Sequence, residues 1–262
     1  MSKGRIVTVV FLFVFLSSFS FALEIKLNAD KVLYYPEKDL MEAVGNVTLL
    51  WGGRKATADK GWVNFKSRDA FLEGNVVIED ERGTLRAFKV SFDAASETYL
   101  AEEKVVLVTK EGVRLECGKL EAKGKSRFRA YEKPKIVKNG AVLIAEEIVY
   151  ENGEAKVKLP KYEDSEKKLY IASSSAKVVF GGDGKIKTIL CSGSVSVKHV
   201  KNKSTFQAKG DEGVYDADAG LVKVYGRASA VKDKTELQAD EILYNLATGV
   251  MRAVGETRMI IH

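Results

Sequence analysis

Cysteine, proline, histidine and glutamine are all scarce in this chain of 262 residues. The two cysteines, Cys117 and Cys191, cannot build a disulfide framework, and neither carries the CxxC spacing of a metal or redox motif. They read as small buried apolar residues. Three prolines exclude a collagen-like chain. Two histidines, His199 and His262, leave no histidine cluster for catalysis or for a metal. His199 falls in the basic stretch Lys198–Lys203, which reads as a loop tip, so an exposed side chain is expected there. After the N-terminal segment no apolar run reaches the roughly 20 residues of a spanning helix. A sustained helical period is missing throughout.

What is present is a folded composition. Hydrophobic residues make up 45% and charged residues 30%, too much apolar content for a disordered chain. The formal charge of +6 is small and interspersed with acid, which does not fit nucleic-acid binding. Residues 1–22 read as an export signal. Lys3 and Arg5 form a basic start, Ile6 to Leu16 an apolar run, and Ser20-Phe21-Ala22 a small-x-small cleavage site. The body, residues 23–262, is expected outside the cytoplasm, with 1–22 either removed or retained as an anchor.

The body repeats with a period of 29 residues. Asp30, Asp59, Phe88, Cys117, Glu146 and Ser175 share one phase, and Asp211 and Asp240 resume it after one break. A second phase lies midway, in Gly45-Asn46, Gly74-Asn75, Gly193-Ser194, Gly226-Arg227 and Gly255-Glu256. Glu103-Lys104 and Glu132-Lys133 hold it without glycine. After each such pair the residues alternate: Val47 and Leu49, Val76 and Ile78, Val105 and Leu107, Val195 and Val197 point one way. Alternation of period two is the mark of half-buried strands. The pattern predicts an elongated all-β stack of about eight two-strand repeats, each covered by its neighbours. Two sub-blocks, 23–160 and 161–262, are an alternative division. In the Ala-Asp strands Tyr34, Phe92, Tyr150 and Tyr244 mark one face, while Leu33, Trp62, Val149, Val214 and Leu243 mark the other. That second row implies packing on both faces, a bulge, or an exposed binding strip.

Ala29-Asp30-x-x-x-Tyr34, Ala43-Val44-Gly45-Asn46-Val47 and Ala58-Asp59 resemble the OstA-like domain, the repeat unit of the LptA, LptC and LptD N-terminal family of lipopolysaccharide-transport proteins. The similarity is clearest over 29–101 and 211–261. The resemblance implies a twisted open β-jellyroll whose hydrophobic groove holds acyl chains. It also implies periplasmic localisation, lipopolysaccharide or another envelope lipid as ligand, and inner- and outer-membrane transport components as partners. Head-to-tail self-association is implied as well. The groove candidates are Val47, Leu49, Val76, Ile78, Val105, Leu107, Val195 and Val197, with Tyr34, Phe92, Tyr150, Tyr215 and Tyr244. Pro134 and Pro160, in the middle repeats that lose Gly-Asn, suggest edges or bulges.

Catalytic patterns are not found, and no enzyme activity or cofactor is expected. Asp216-x-Asp218-x-Gly220 lacks the rest of a calcium loop and reads as a hairpin turn. Gly181-Gly182-Asp183-Gly184 is a turn without the helix a phosphate loop needs. The recurrent aspartates are expected to bond turn amides at strand starts. The closing segment, with Thr257, Met259 and Ile261 alternating, has no proline or charge run to blunt it. It is the candidate docking edge, with the strand near Ile25 to Leu27 as its complement. The competing reading is a structural or adhesive solenoid with a filled interior and no ligand.

Overall fold

The computed structural model describes residues 26–51, 53–123, 127–181 and 185–261. The expected export signal, Ile25 of the N-terminal strand, most of the Gly181–Gly184 turn and His262 lie outside these. The described chain is all-β, with one turn of 3-10 helix at Pro36–Lys38 as its helical element. No helix among the described residues is long and apolar enough to cross a membrane.

The long strands pair antiparallel in chain order, whereas several short strands between them pair antiparallel with strands two or three further along. The strands begin with β1 (Lys26–Asn28), β2 (Lys31–Tyr35), β3 (Leu40–Trp51), β4 (Arg54–Asn64), β5 (Ala70–Asp80), β6 (Gly83–Asp93), β7 (Thr98–Thr109), β8 (Arg114–Lys123) and β9 (Arg127–Tyr131). Short strands come next: β10 (Lys135–Lys138), β11 (Ala141–Ile144), β12 (Glu147–Glu151), β13 (Glu154–Lys158), β14 (Lys161–Asp164), β15 (Leu169–Ala172) and β16 (Ser175–Phe180). Long strands then resume with β17 (Ile186–Lys201), β18 (Ser204–Asp216), β19 (Leu221–Lys232) and β20 (Thr235–Asn245), closed by β21 (Met251–Val254) and β22 (Arg258–Ile261). The chain packs as two compact units. Their described parts are 26–136 with 149–152, and 137–148 with 153–261.

The 29-residue period has a definite physical meaning: it spaces corners. Every long strand pair loses register once, between Val44 and Val47, Glu73 and Val76, Glu102 and Val105, Ser192 and Val195, and Tyr225 and Ala228. Each break holds two successive residues at positive φ: Gly45-Asn46, Gly74-Asn75, Glu103-Lys104, Gly193-Ser194 and Gly226-Arg227. Such a bulge bends the strand, so one strand serves two sheets. Glu132-Lys133 has the same conformation without glycine, and Pro134 follows it. Pro160 likewise falls between β13 and β14, so both prolines sit where strands break.

The aspartate phase lies opposite these corners. Asp59, Asp211 and Asp240 stand in mid-strand, not at strand starts as expected, because the hairpins lie half a period away. Asp59 Oδ2 accepts from Asn75 Nδ2 and Asp30 Oδ2 from Asn46 Nδ2, each at 3.0 Å. Asp211 takes two hydrogen bonds from Arg227, and Asp240 Oδ2 accepts the Glu256 backbone N–H. The role is structural, but the partners are the facing corner residues.

Each bent strand contributes to two leaves. In the N-terminal unit 47–51, 54–58, 76–80, 83–87 and 105–109 form one leaf; 40–44, 60–64, 70–73, 89–93 and 98–102 form the other. Alternation sends Val47, Ala56, Ala58, Val76, Ile78, Leu85, Val105 and Leu107 inward from the first leaf, all buried. In the C-terminal unit the leaves meet through Phe206 and Tyr244, whose rings stack at 3.8 Å and 4°. The second apolar row proves to be the outer face: Leu33, Glu42, Trp62 and Phe71 stand in cross-strand register, with Trp62 stacked on Phe71.

One expectation is overturned here. Lys198 to Lys201 belong to β17, and the turn is only Asn202-Lys203. The inward alternation of Val195 and Val197 therefore continues to His199, which is 5% exposed. The basic residues either side misdirected the reading, because they occupy the outward phase of the same strand.

Candidate functional site

An apolar cleft of about 880 Å³, including its open mouth, lies between the two leaves of the N-terminal unit. Leu49, Val47 and Ile78 line it from the first leaf; Met41, Val63, Leu72, Val90, Phe92 and Tyr99 line it from the second. Its space has a sequence origin. Ala43, Gly61 and Ala70 occupy inward positions of the second leaf where larger residues would close the gap. The cleft also reaches Leu27 of β1.

Of the sequence-derived groove residues, Val47, Leu49, Ile78 and Phe92 line this cleft. Val76, Val105 and Leu107 are buried in the same unit, and Tyr150 stacks on Phe128 there at 5.3 Å. Tyr34 faces inward opposite Met41 but is 60% exposed, because the strand ladder ends beside it. Val195, Val197, Tyr215 and Tyr244 are buried in the C-terminal unit. Met41, Leu72 and Tyr99 were missed, since their inward direction emerges only from the register across each corner.

Charge gathers at the cleft's rim. The register that sets Lys55 opposite Glu79 carries Arg54 on to Asp80, one row beyond Ala56 and Ile78 on the same inward face. Arg82 Nη2 and Nε bond Asp80 Oδ2 at 2.6 and 3.0 Å, and the Arg82 backbone N–H bonds Oδ1 at 2.7 Å. Arg54 Nε lies 3.9 Å from the same carboxylate. Burial, followed by repulsion from Arg82, holds the Arg54 guanidinium below its ordinary pKa. On the facing leaf burial pushes the Tyr99 hydroxyl up to about 12, against the attraction of Arg54 for the phenolate.

The C-terminal unit is furnished differently. His199 Nδ1 lies 2.9 Å from the Tyr244 hydroxyl, and burial depresses the imidazole pKa. Nearby the Tyr162 hydroxyl donates to Asp164 at 3.3 Å, and Lys167 Nζ donates to the Tyr215 hydroxyl at 2.8 Å. Lys201 and Lys232 reach the carbonyls of Ala247 and Gly249, tying one leaf to the hairpin of the other. Cys191 is buried and Cys117 half-buried, and both are free thiols. Among the described residues no group of three His, Cys, Asp or Glu side chains is placed to hold a metal. Asp216 Oδ1 accepts from the Asp218 and Ala219 amides, which makes that motif the expected hairpin turn.

Comparison with known proteins adds a family. Residues 165–250 match the model of a family described as LptA/(LptD N-terminal domain) LPS transport protein. The matched stretch lies within the C-terminal unit and overlaps the 211–261 part of the sequence resemblance; it contains the corners at Gly193-Ser194 and Gly226-Arg227. Among solved structures, the crystal structure of LptH is similar. LptH is the LptA-homologous periplasmic component of the lipopolysaccharide transport device of Pseudomonas aeruginosa. It aligns at 12% identity and a TM-score of 0.39, over 42% of this chain and 85% of LptH. No curated protein matches the chain by sequence.

Proposed function

We propose that this protein is a periplasmic lipid-transport protein that carries lipopolysaccharide or a similar amphiphile toward the outer membrane. The observation that carries this reading is the cleft between the leaves, apolar along its whole lining and open to solvent. An acyl chain buried there gains about 0.8 kcal/mol per methylene, enough to be held and still be handed on. The match of residues 165–250 to the LptA/LptD N-terminal family model supports the same class of cargo. No chemical step is needed, so the protein acts without catalysis.

Passing cargo along a bridge requires docking at exposed strand edges. In the N-terminal unit Val32 and Tyr34 leave apolar surface exposed; in the C-terminal unit Met259 and Ile261 do so at 58% and 74%. Both are in keeping with strand addition by a second copy or by envelope transport partners.

The competing reading, a ligand-free structural solenoid, draws on the C-terminal unit, where Phe206, Tyr244 and His199 fill the space between leaves. Mass spectrometry of protein purified from its own envelope separates the two. Transport predicts a co-purifying amphiphile that is lost in Ala70→Phe, which fills the cleft. A lipid-free native protein with an unaltered fold would leave the solenoid reading in place.

A further inference from the structure

On one leaf of the C-terminal unit three neighbouring hairpin tips are rich in lysine. They join β14 to β15, β17 to β18 and β19 to β20. The first carries Lys167 and Lys168, the second Lys201 and Lys203, the third Lys232 and Lys234. Register makes the tips neighbours, with Leu169 opposite His199 and Phe206 opposite Lys232. Backbone bonds link them, from the Val200 N–H to the Lys168 carbonyl at 3.2 Å and from the Asp233 N–H to the Thr205 carbonyl at 3.4 Å. Two strand spacings separate successive tips, so the three form a line about 20 Å long. The last two turns are short, Asn202-Lys203 and Asp233-Lys234, which keeps their lysines at the leaf's end.

Carboxylates at these tips are fewer. Asp164 is buried; it accepts from the Tyr162 hydroxyl and the Lys167 N–H and lies 3.8 Å from Lys167 Nζ. Asp233 accepts from Ser204 Oγ at 2.7 Å and from the Thr205 N–H at 3.3 Å. Glu166 is the third. Lys201 and Lys232 bond the carbonyls of Ala247 and Gly249, and Lys167 also bonds the Tyr215 hydroxyl. Those neutral acceptors fix the head groups without cancelling their charge. Lys168, Lys203 and Lys234 are exposed and form no ion pair with a described residue. Six lysines against three carboxylates leave the line an excess of three positive charges. On the facing leaf Asp216 is engaged by the amides of its own turn, with Asp218 beside it.

We infer that this line of lysine tips docks the C-terminal unit on the surface of an anionic lipid bilayer. Such a surface attracts each lysine near it without needing a shaped pocket, and a cluster of this size is enough to exploit that attraction. The tips suit a bilayer better than a protein. Lysine and acid dominate them, residue types depleted from protein interfaces, and no aromatic or aliphatic anchor stands among the exposed residues 165–168, 202–203 and 233–234. Flexible stems let each ammonium follow a headgroup layer that is itself fluid. The inference is independent of the apolar cleft, which belongs to the other unit, and of what is carried there.

The test measures co-sedimentation of the protein, purified from its own envelope, with vesicles of phosphatidylcholine alone or mixed with phosphatidylglycerol. Wild type is expected to bind the mixed vesicles at least about tenfold more tightly than the neutral ones at low salt, and to release them at high salt. Lys168→Gln with Lys203→Gln and Lys234→Gln should lower that affinity at least about tenfold. These side chains lack ion-pair partners in the fold, so the melting temperature should be kept. Lys156→Gln with Lys161→Gln and Lys209→Gln removes the same charge from exposed strand positions of the same unit. That variant should bind within about twofold of wild type, because its lysines stand away from the tips. Ala70→Phe, which fills the cleft, should dock as wild type does, so loss of cargo and loss of docking are read separately. No preference for the anionic vesicles overturns the docking surface. A tip variant that binds as wild type does, or a strand variant that loses as much, overturns its placement at the tips. Capture of poly-glutamate in place of the anionic vesicles would make the partner an acidic protein and overturn the lipid assignment.

Discussion

Gly74 and Asp59 are packed so closely that a Cβ on the glycine would fall 2.2 Å from the carboxylate oxygen Oδ2. Gly74 also holds φ at +81°, a conformation that side chains disfavour. The corner is thus specified twice, by backbone geometry and by the side chain packed against it.

Gly74→Ala should therefore destabilise the protein by about 1–3 kcal/mol, combining positive-φ strain with the clash. In an Asp59→Ala background the same substitution should cost less, because only the backbone strain remains. Urea denaturation of the two single variants and the double variant measures the difference. Equal costs in both backgrounds would remove Asp59 from the corner's account.

Asn75→Asp separates exposure from pairing. The sequence alone makes this exposed position tolerant, but Asn75 Nδ2 donates to Asp59 Oδ2. The variant loses a donor and sets two carboxylates side by side, so a small loss of up to about 1 kcal/mol is expected, relieved by salt. Val76→Asp, in the dry interior next door, should cost several kcal/mol with no relief by salt. Melting curves at low and high ionic strength distinguish the two.

His199 should make stability depend on pH. Its folded pKa lies below the ordinary 6.5, so the unfolded chain binds the proton more readily. The stabilisation is full above about pH 6.5 and is lost as pH falls through the window between the unfolded and folded values. His199→Gln should flatten the melting temperature between pH 7.5 and 5.5, relative to wild type. An identical slope in both proteins would place the dependence elsewhere.

The closing edge is a matter for association measurements. β21 and β22 pair with β20, and Met259 and Ile261 remain exposed beyond that pairing. Deleting residues 259–262, or the milder Ile261→Lys, should reduce self-association in analytical ultracentrifugation without lowering the melting temperature by more than a few degrees. Unchanged association in both, with the fold kept, would exclude this edge.

Much of the fold was legible because two periodicities carry it. Alternation after Gly74 placed Val76 and Ile78 inward, and the 29-residue spacing marked a second phase, Glu103-Lys104 included, whose meaning as a corner came only with the register breaks. The cleft was legible only in part. Val47 and Ile78 follow from alternation within one strand, but the gap they border depends on Ala43, Gly61 and Ala70 meeting across three strands. Small residues announce nothing until register aligns them. His199 was misread for a related reason: strand alternation runs through a charged stretch that looks like a loop. The rim of Arg54 and Asp80 was invisible to sequence, because 26 positions separate residues that a hairpin register makes neighbours.

The spacing of the corners also governs how such a chain can change size. One 29-residue unit supplies two strands, and therefore about 10 Å of ladder. A gain or loss of one whole unit would leave each remaining Asp opposite its own corner, whereas a change of any other length inside a strand would slide them out of step. The 36 residues between Ser175 and Asp211 are the one departure from that spacing, and the phase resumes beyond it at Asp211 and Asp240. The strand ladder is thus quantised: duplication can lengthen it in fixed increments, without inventing a new contact.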